Sequence, residues 1–540
     1  MRLVPLISLM CAVILSFAHI AHADDAWDST LTQLESKSFS VKTTAVKALS
    51  ESDHPQAMNF LEAIANNRLV LLDEDHQWYI AQSNNETMTL TSLNSKQVIE
   101  NVDASLVTPF VSNNQLRLLA RKAIAMKQLK HTDEAVRLQA ARFIRQAYQP
   151  DFFDLVVTAK NNETDADVLR VLNEIIDIEI AQQEDDEPAR LAAIERLGKS
   201  LSIEAKNTLE HLLQKNDDGT YALENKTITQ TAEKSLTSLS FARQLNAWFE
   251  NAFFGLSMAS VLLLAAVGLA ITFGVMGVIN MAHGEMMMIG AYTAFVMQQI
   301  MPNFIGASLL IAIPSAFLCA ALVGIVIERL VIRHLYGRPL ETLLATFGIS
   351  LLLQQLARTI FSPLNKEVAT PEMMSGALQV NDALSLTYNR LFIILGAVIV
   401  FLVVLYVMKK TRFGLQVRAV MQNRPMAQAM GINTARIDML TFGFGSGIAG
   451  IAGVALSQLT NVGPNLGQAF IVDSFMVVVF GGVGNLWGTL VAAITLGELN
   501  KFLEPAFGAV LAKVLLLVLI ILFIQKRPRG LFPQKGREVS

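Results

Sequence analysis

Cysteine is almost absent: the 540 residues contain two, Cys11 and Cys319. A disulfide scaffold is thereby excluded. Charge is scarce too, at 16% of residues against roughly 25% in an ordinary soluble protein. That scarcity excludes a disordered, charge-rich chain, and the absence of a Gly-X-Y repeat excludes collagen. There is no G-x-x-x-x-G-K-[ST] loop, so no phosphate cradle of that kind. No zinc-protease motif, metal-ligand cluster or catalytic dyad stands out, so neither an enzyme nor a resident cofactor is expected.

What is present is split between two unlike halves. From Asp24 to Glu250 there are 35 acidic and 23 basic residues, a balance of −12. From Asn251 to Ser540 there are 11 acidic and 19 basic, a balance of +8. Ahead of both, Arg2 precedes an apolar stretch from Leu3 to Ile20 that ends Ala21-His22-Ala23. A positive start, an apolar middle and small residues at −3 and −1 predict a signal peptide over 1–23, cut after Ala23. Met10 before Cys11 argues against a lipid-anchored cut. The exported block, 24–250, then has no cysteine and must hold together by packing.

Apolar residues in that block recur at helical spacing over Val41–Leu49, Leu116–Leu129, Asp133–Tyr148, Asp167–Ile180 and Pro188–Leu197. The pattern Asp133-x-x-Val136-Arg137-x-x-Ala140-Ala141 resembles the second helix of HEAT-type repeats, with echoes at Asp165 and Ala189. Stacked helices or a non-repetitive helical domain both fit. Near 68–111 the pattern changes: Leu69–Leu72, Trp78–Ile80 and Met88–Thr91 predict short strands, a small β insertion. The acidic run Glu184–Glu187 reads as a solvated loop.

The second block reads as lipid-embedded. Asn251–Ala282 carries no charged residue, and neither does Met286–Ile327. Further uncharged runs cover Thr342–Ala357, Leu391–Met408, Met439–Val472, Ser474–Gly497 and Val514–Ile524. A spanning helix needs about 20 apolar residues. The expectation is a polytopic helical domain over 251–530 with about eight or nine spans, fewer if some segments are re-entrant. Basic clusters at Arg329–Arg338, Lys409–Arg436 and Lys526–Arg537 mark the cytoplasmic side. They place the first block in the periplasm and a tail, 531–540, in the cytoplasm of a bacterial cell, with the chain in its inner membrane. The fold class expected is all-α, apart from the β insertion.

Polar groups inside these runs are the candidate functional residues. Asn280, His283 and Glu285 sit between two long apolar runs, either in a short interfacial turn or at a helix break facing an aqueous path. Asn461 and Asn465 flank Gly463 and Pro464 in a segment that reads as extended or broken. Asp473 is expected to cap a helix starting near Ser474. Glycines from Gly443 to Gly453 predict close helix packing. Arg358, Lys501 and Lys513 are expected to snorkel or to pair with carboxylates such as Glu498 or Glu504. In the basic segment, Arg412, Arg418 and Arg424 are followed by Pro425, which can start a short helix, and Gly431, which can end it. Such a helix, with Ala427 inside it, suits docking into a groove on a partner.

Four motifs together resemble the branched-chain amino-acid type of ABC importer permease. They are Gly-Val-Ile-Asn-Met-Ala-His-Gly-Glu (277–285), the Arg-Phe-Gly…Arg-Ala-Val…Gly-Ile-Asn segment (412–433), Phe-Gly-Gly-Val-Gly-Asn (480–485) and Arg-Pro-Arg-Gly-Leu-Phe (527–532). The stretches 336–348 and 465–482, with the leader and the long exported block, are similar to the urea-transporting (B type) permease subunits within that family. The resemblance implies a second permease subunit, two ATPase subunits and a periplasmic substrate-binding protein. It places ATP hydrolysis on those separate subunits and implies no nucleic-acid partner. It also implies a coupling role for 412–431, where only Ala427 and Gly431 match the general Glu-Ala-Ala…Gly pattern of ABC permeases. Urea needs hydrogen-bonding groups and a narrow path with no fixed counter-charge, which Asn280, Asn461 and Asn465 can supply. A branched-chain amino-acid permease and an ATP-independent channel remain the alternatives.

Overall fold

The computed structural model describes residues 27–532 apart from 53, 85–86, 94–97, 104–105 and 184. The expected leader (1–23), all but the first two residues of the expected tail, and Glu184 of the acidic run lie outside these. The chain divides into two compact units, one ending at Phe241 and one beginning at Ala242.

In the first unit, helices α1 (Phe39–Glu51) and α2 (Ala57–Ala65) precede a five-stranded sheet. The strands are β1 (Leu69–Leu72), β2 (Gln77–Asn84), β3 (Thr87–Ser92), β4 (Val98–Asp103) and β5 (Val107–Pro109), in the antiparallel order β4-β3-β2-β1-β5. The expected β insertion is therefore a complete small sheet. Strand β1, flanked by β2 and β5, is buried along its whole length, which is why Leu-Val-Leu-Leu lacks alternation.

Helices α3 (Asn114–Gln128), α4 (Glu134–Gln146), α5 (Phe153–Asn162), α6 (Ala166–Gln183), α7 (Glu187–Leu197) and α8 (Ile203–Leu212) follow. Side-chain oxygens of Asn113, Asp133 and Ser202 accept the first free amides of α3, α4 and α8. Ala140 and Ile144 of α4 are buried with Val168, Val171 and Leu172 of α6. Ion pairs among the described residues tie the helices together: Arg137–Glu163 at 2.7 Å, Arg145–Glu174 at 2.8 Å, Arg145–Glu204 at 3.4 Å and Arg196–Asp177 at 2.6 Å. The Arg137 guanidinium, with the amides of Thr164 and Asp165, holds the Glu163 carboxyl down to about 2.

The chain passes from the first unit to the second inside α9 (Lys226–Met276). The second unit continues with α10 (His283–Ile300), α11 (Ile305–Leu330), α12 (Pro339–Phe361), the hairpin β6 (Ala377–Asn381) and β7 (Leu384–Thr387), and α13 (Tyr388–Lys410). Then come α14 (Arg412–Gln422), α15 (Arg424–Ala429), α16 (Thr434–Ser457), α17 (Leu466–Gly481) and α18 (Leu486–Lys526). The hairpin lies in a stretch that reads as a plain polar loop, so the membrane block is not purely helical. Its turn is closed by the Asn381 side chain, which accepts the Ala383 amide at 2.8 Å.

Among the described residues, six helices are long and apolar enough to cross a membrane: α9, α11, α12, α13, α16 and α18. Helix α17 is shorter but apolar. Sequence runs suggest more crossings for two physical reasons. Helices α10 and α17 are short and begin at broken backbone, and α18 merges two segments across a kink at Gly508, where φ is 77°.

The spans divide by environment. The apolar stretch of α9 and most of α16 are buried within the unit, whereas α11, α12, α13 and α18 leave most of their apolar surface outward. Glycine makes the inner contacts possible. A Cβ on Gly453 would stand 1.9 Å from the Met287 carbonyl oxygen, and one on Gly290 would stand 2.0 Å from that of Gly450. Only hydrogen fits there, so α10 and α16 touch backbone to backbone.

Candidate functional site

The second unit contains two backbone breaks whose polar residues one helix connects. The first break follows α9. Gly277 turns the chain at φ 67°, and Asn280 Oδ1 accepts the Ala282 amide at 3.0 Å, so α10 starts afresh at His283. Asn280, His283 and Glu285 are all buried. Nε2 of His283 donates to the Ala265 carbonyl at 3.0 Å. Glu285 Oε1 accepts from Ser350 Oγ and from Gln354 Nε2, each at 2.8 Å. Among the described residues, Asn280 Nδ2, His283 Nδ1 and Glu285 Oε2 have no hydrogen-bond partner.

The second break runs from Gln458 to Asn465, between α16 and α17. Val462 and Lys366 exchange both backbone hydrogen bonds, at 2.7 and 2.8 Å, so the segment after α12 is paired to this break. Asn461 and Asn465 are exposed, and Asn465 Oδ1 accepts from Arg358 Nη2 at 2.8 Å. The breaks meet where Gly284 and Gly467 pack. A Cβ on Gly284 would lie 2.4 Å from the Gly467 carbonyl oxygen.

Helix α12 connects the two breaks and is inverted relative to a soluble helix. Its outward face carries Leu340, Leu344, Leu352, Leu356 and Ile360, all exposed. Its buried face carries Thr342, Thr346, Ser350 and Gln354, each four residues after the last. Thr346 Oγ1 accepts the Met281 amide at 3.2 Å, Ser350 and Gln354 hold Glu285, and Arg358, one further step along, holds Asn465. At 1.5 Å per residue the stripe from Thr346 to Arg358 runs about 18 Å. Polar side chains turned inward beneath an apolar outer face fit a polar route bounded by lipid. The signal was in the sequence as a polar residue at every fourth position.

Asp473 does not cap a helix. Helix α17 already begins at Leu466, so Asp473 lies in its interior, where its carboxylate pairs with Lys513 of α18 at 3.1 Å. Lys513 thus takes this partner rather than Glu498 or Glu504, and Lys501 pairs with Glu504 at 2.5 Å. Arg358 binds a side-chain amide rather than a carboxylate.

The basic segment 412–433 folds as two short helices. Pro425 lies in the first turn of α15, and Gly431, at φ 85°, follows its end. Arg412 is exposed, and Arg418 donates to the Met408 carbonyl. Arg424 binds the buried carboxylate of Asp438 and lies 4.7 Å from the centre of the Tyr336 ring. Burial pushes the Tyr336 phenol above its ordinary value. Ala427 is buried, while Met426 and Met430 project outward, the latter 77% exposed. Two other sequence motifs, 480–485 and 527–532, meet each other. The Leu531 amide donates to the Phe480 carbonyl at 2.9 Å, and the Phe532 amide to that of Gly481 at 3.2 Å.

No group of three or more His, Cys, Asp and Glu among the described residues is arranged to hold a metal. Comparison with known proteins matches residues 251–524 to the family described as branched-chain amino acid transport system, permease component. The chain is 29% identical over 290 residues to the high-affinity branched-chain amino acid transport system permease protein BraD of Pseudomonas aeruginosa. That alignment covers 51% of this chain and 93% of the relative. It is 28% identical over 300 residues to LivH of Escherichia coli K12, a protein of the same description, covering 54% and 97%. It is 27% identical over 290 residues to the ribose import permease protein RbsC of Escherichia coli K12, covering 51% and 86%. No solved structure matches.

Proposed function

This chain belongs to the branched-chain amino acid transport permease family, and from that premise we propose that it is the membrane-spanning permease subunit of an ATP-driven importer whose solute is urea or a close small amide. The observation that carries this reading is the polar stripe Thr346–Ser350–Gln354–Arg358, buried as far as Gln354, which bonds the Met281 amide and Glu285 at one break and Asn465 at the other. Urea carries two amide donors and one carbonyl acceptor. Hydroxyl and amide groups along the stripe, with the imidazole of His283 at the first break, match both kinds. Asp473, held by Lys513, serves as a wall of the route rather than a contact for the solute. The chain lies in the bacterial inner membrane, with the first unit in the periplasm and the C-terminus in the cytoplasm.

The short helix Arg424–Ala429 docks on an ATPase subunit. Met426 and Met430 supply its apolar contact, Arg412 supplies charge, and Gly431 ends it. One further permease, a second ATPase subunit and a periplasmic substrate-binding protein complete the importer. The family match begins at residue 251, so the first unit is an addition to the permease. It serves assembly or docking beside the binding protein. If deleting 24–240 leaves assembly and uptake intact, that role is wrong.

One observation favours a second solute class. Glu285 and Arg358 are opposite charges within electrostatic reach, as the two ends of an amino acid require. The names of BraD and LivH point the same way. Uptake of labelled urea and of labelled leucine, in cells lacking this gene and in complemented cells, decides. Loss of urea uptake alone supports the first reading. Loss of leucine uptake alone supports the second. Undiminished uptake of both refutes the two.

A further inference from the structure

Arg424 is the first residue of α15 and the cation through which that helix reaches the body of the unit. Its guanidinium meets Asp438 in the second turn of α16, through Nη2 to Oδ2 and, at 3.4 Å, through Nη1 to Oδ1. Asp438 is fully buried. A second fully buried carboxylate, Glu328 at the end of α11, lies within electrostatic reach of both Arg424 and Asp438. Neither Glu328 oxygen has a hydrogen-bond partner among the described residues. Tyr336 forms a wall against the guanidinium, and Gln428 Nε2 donates to Thr434 Oγ1 at 2.9 Å on the next turn of α15. The remaining cations in reach of Glu328 are Arg329 and Arg333.

One guanidinium therefore serves two buried acids from two helices, and it sits on a short helix whose Met426 and Met430 are exposed. Displacing α15 would strand the Asp438 carboxylate where water does not reach, which is strongly unfavourable, and would weaken the positive field at Glu328, leaving it Arg329 and Arg333. The fork geometry and the ring contact also require arginine rather than lysine. We propose that Arg424 is the positioning residue of the docking helix: its pairing with Asp438 and its field at Glu328 fix α15 to the ends of α11 and α16 and drive it back after displacement. Movement imposed on Met426 and Met430 is then passed to α16, whose glycines touch α10. The transmission role rests on the permease reading given above; the latch itself does not.

The full chain in lipid nanodiscs, with Arg424→Lys, Arg424→Met, Asp438→Asn and Glu328→Gln variants, tests this by amide hydrogen exchange. The latch predicts exchange of 426–433 faster by about tenfold in Arg424→Lys and more in Arg424→Met, with 445–457 unchanged. Glu328→Gln gives a smaller increase in the same segment. Unchanged exchange in 426–433 overturns the proposal, and so does an equal loss of protection throughout α16, which marks a general folding defect. A reciprocal exchange, Arg424→Asp with Asp438→Arg, restores protection if the pairing is what matters. In the assembled importer, Arg424→Lys lowers solute moved per ATP hydrolysed while ATPase subunits still co-purify. An unchanged ratio overturns the transmission role. If the wild-type chain recruits no ATPase, the permease reading fails, and the exchange data still decide the latch.

Discussion

The Gln354 side-chain amide donates to the Glu285 carboxylate at 2.8 Å, joining the middle of α12 to the first turn of α10 across 69 residues of sequence. Ser350 donates to the same oxygen. Gln354→Leu removes one of the two donors from a buried carboxylate and should destabilise the folded unit by about 1–3 kcal/mol. Ser350→Ala should cost less, because Gln354 remains. Thermal unfolding in detergent measures both. Solute uptake per folded copy should fall most in Gln354→Leu if the stripe is the route.

Gly453 should not tolerate even a methyl group. Its Cβ would stand 1.9 Å from the Met287 carbonyl oxygen, which is backbone and cannot rotate away. Gly453→Ala should separate α10 from α16 and destabilise by about 1–3 kcal/mol, seen as aggregation or early melting on size exclusion. Gly396, with open space around its Cβ position, should accept alanine without loss.

The first unit should carry an acid-sensitive clamp. Arg137 and two backbone amides hold the Glu163 carboxyl down to about 2, against 4.5 ordinarily. A depressed folded-state value means the stabilisation is complete above about pH 4.5 and disappears as pH falls through 2. Glu163→Gln should therefore be less stable than wild type at pH 6, with the gap closing on acidification. Melting curves of the full chain at pH 6, 4 and 2.5 check it; a gap that widens toward pH 2.5 contradicts the assignment.

Lys366 and Val462 form a mutually hydrogen-bonded antiparallel pair, so their Cα atoms stand about 5.5 Å apart. That separation suits a disulfide. In a chain with Cys11 and Cys319 replaced, Lys366→Cys with Val462→Cys should cross-link under mild oxidant, read as a shift in mobility after cleavage between the two sites. Moving one cysteine to Leu364 should abolish it.

The first unit's helices were readable in the sequence because their apolar faces are local: Ala45, Val46 and Leu49 repeat within α1 and bury as a group. The breaks at Gly277 and Pro464 were readable for the same reason, as local backbone chemistry. What the sequence hid depends on distant partners. Asp473 beside Ser474 looks like a cap, and only Lys513, forty positions later, makes a carboxylate tolerable inside α17. Glu328 and Asp438 stand at the edges of two uncharged runs, 110 positions apart, and only folding brings both to Arg424. The hairpin at 377–387 was missed because its strands are short and none of their residues is buried, so alternation gave little signal. The α12 stripe was legible but overlooked, since a count of charges passes over threonine, serine and glutamine.

The pairing of Leu531 with Phe480 bears on how the molecule is made. Residues 527–532 are synthesised after α17 and α18, yet they supply the strand-like partner for the turn between those two helices. Gly482 and Gly530 approach so closely that neither could carry a side chain. A chain cut after Lys526 would keep both helices and leave that turn open, because its closing amides belong to Leu531 and Phe532.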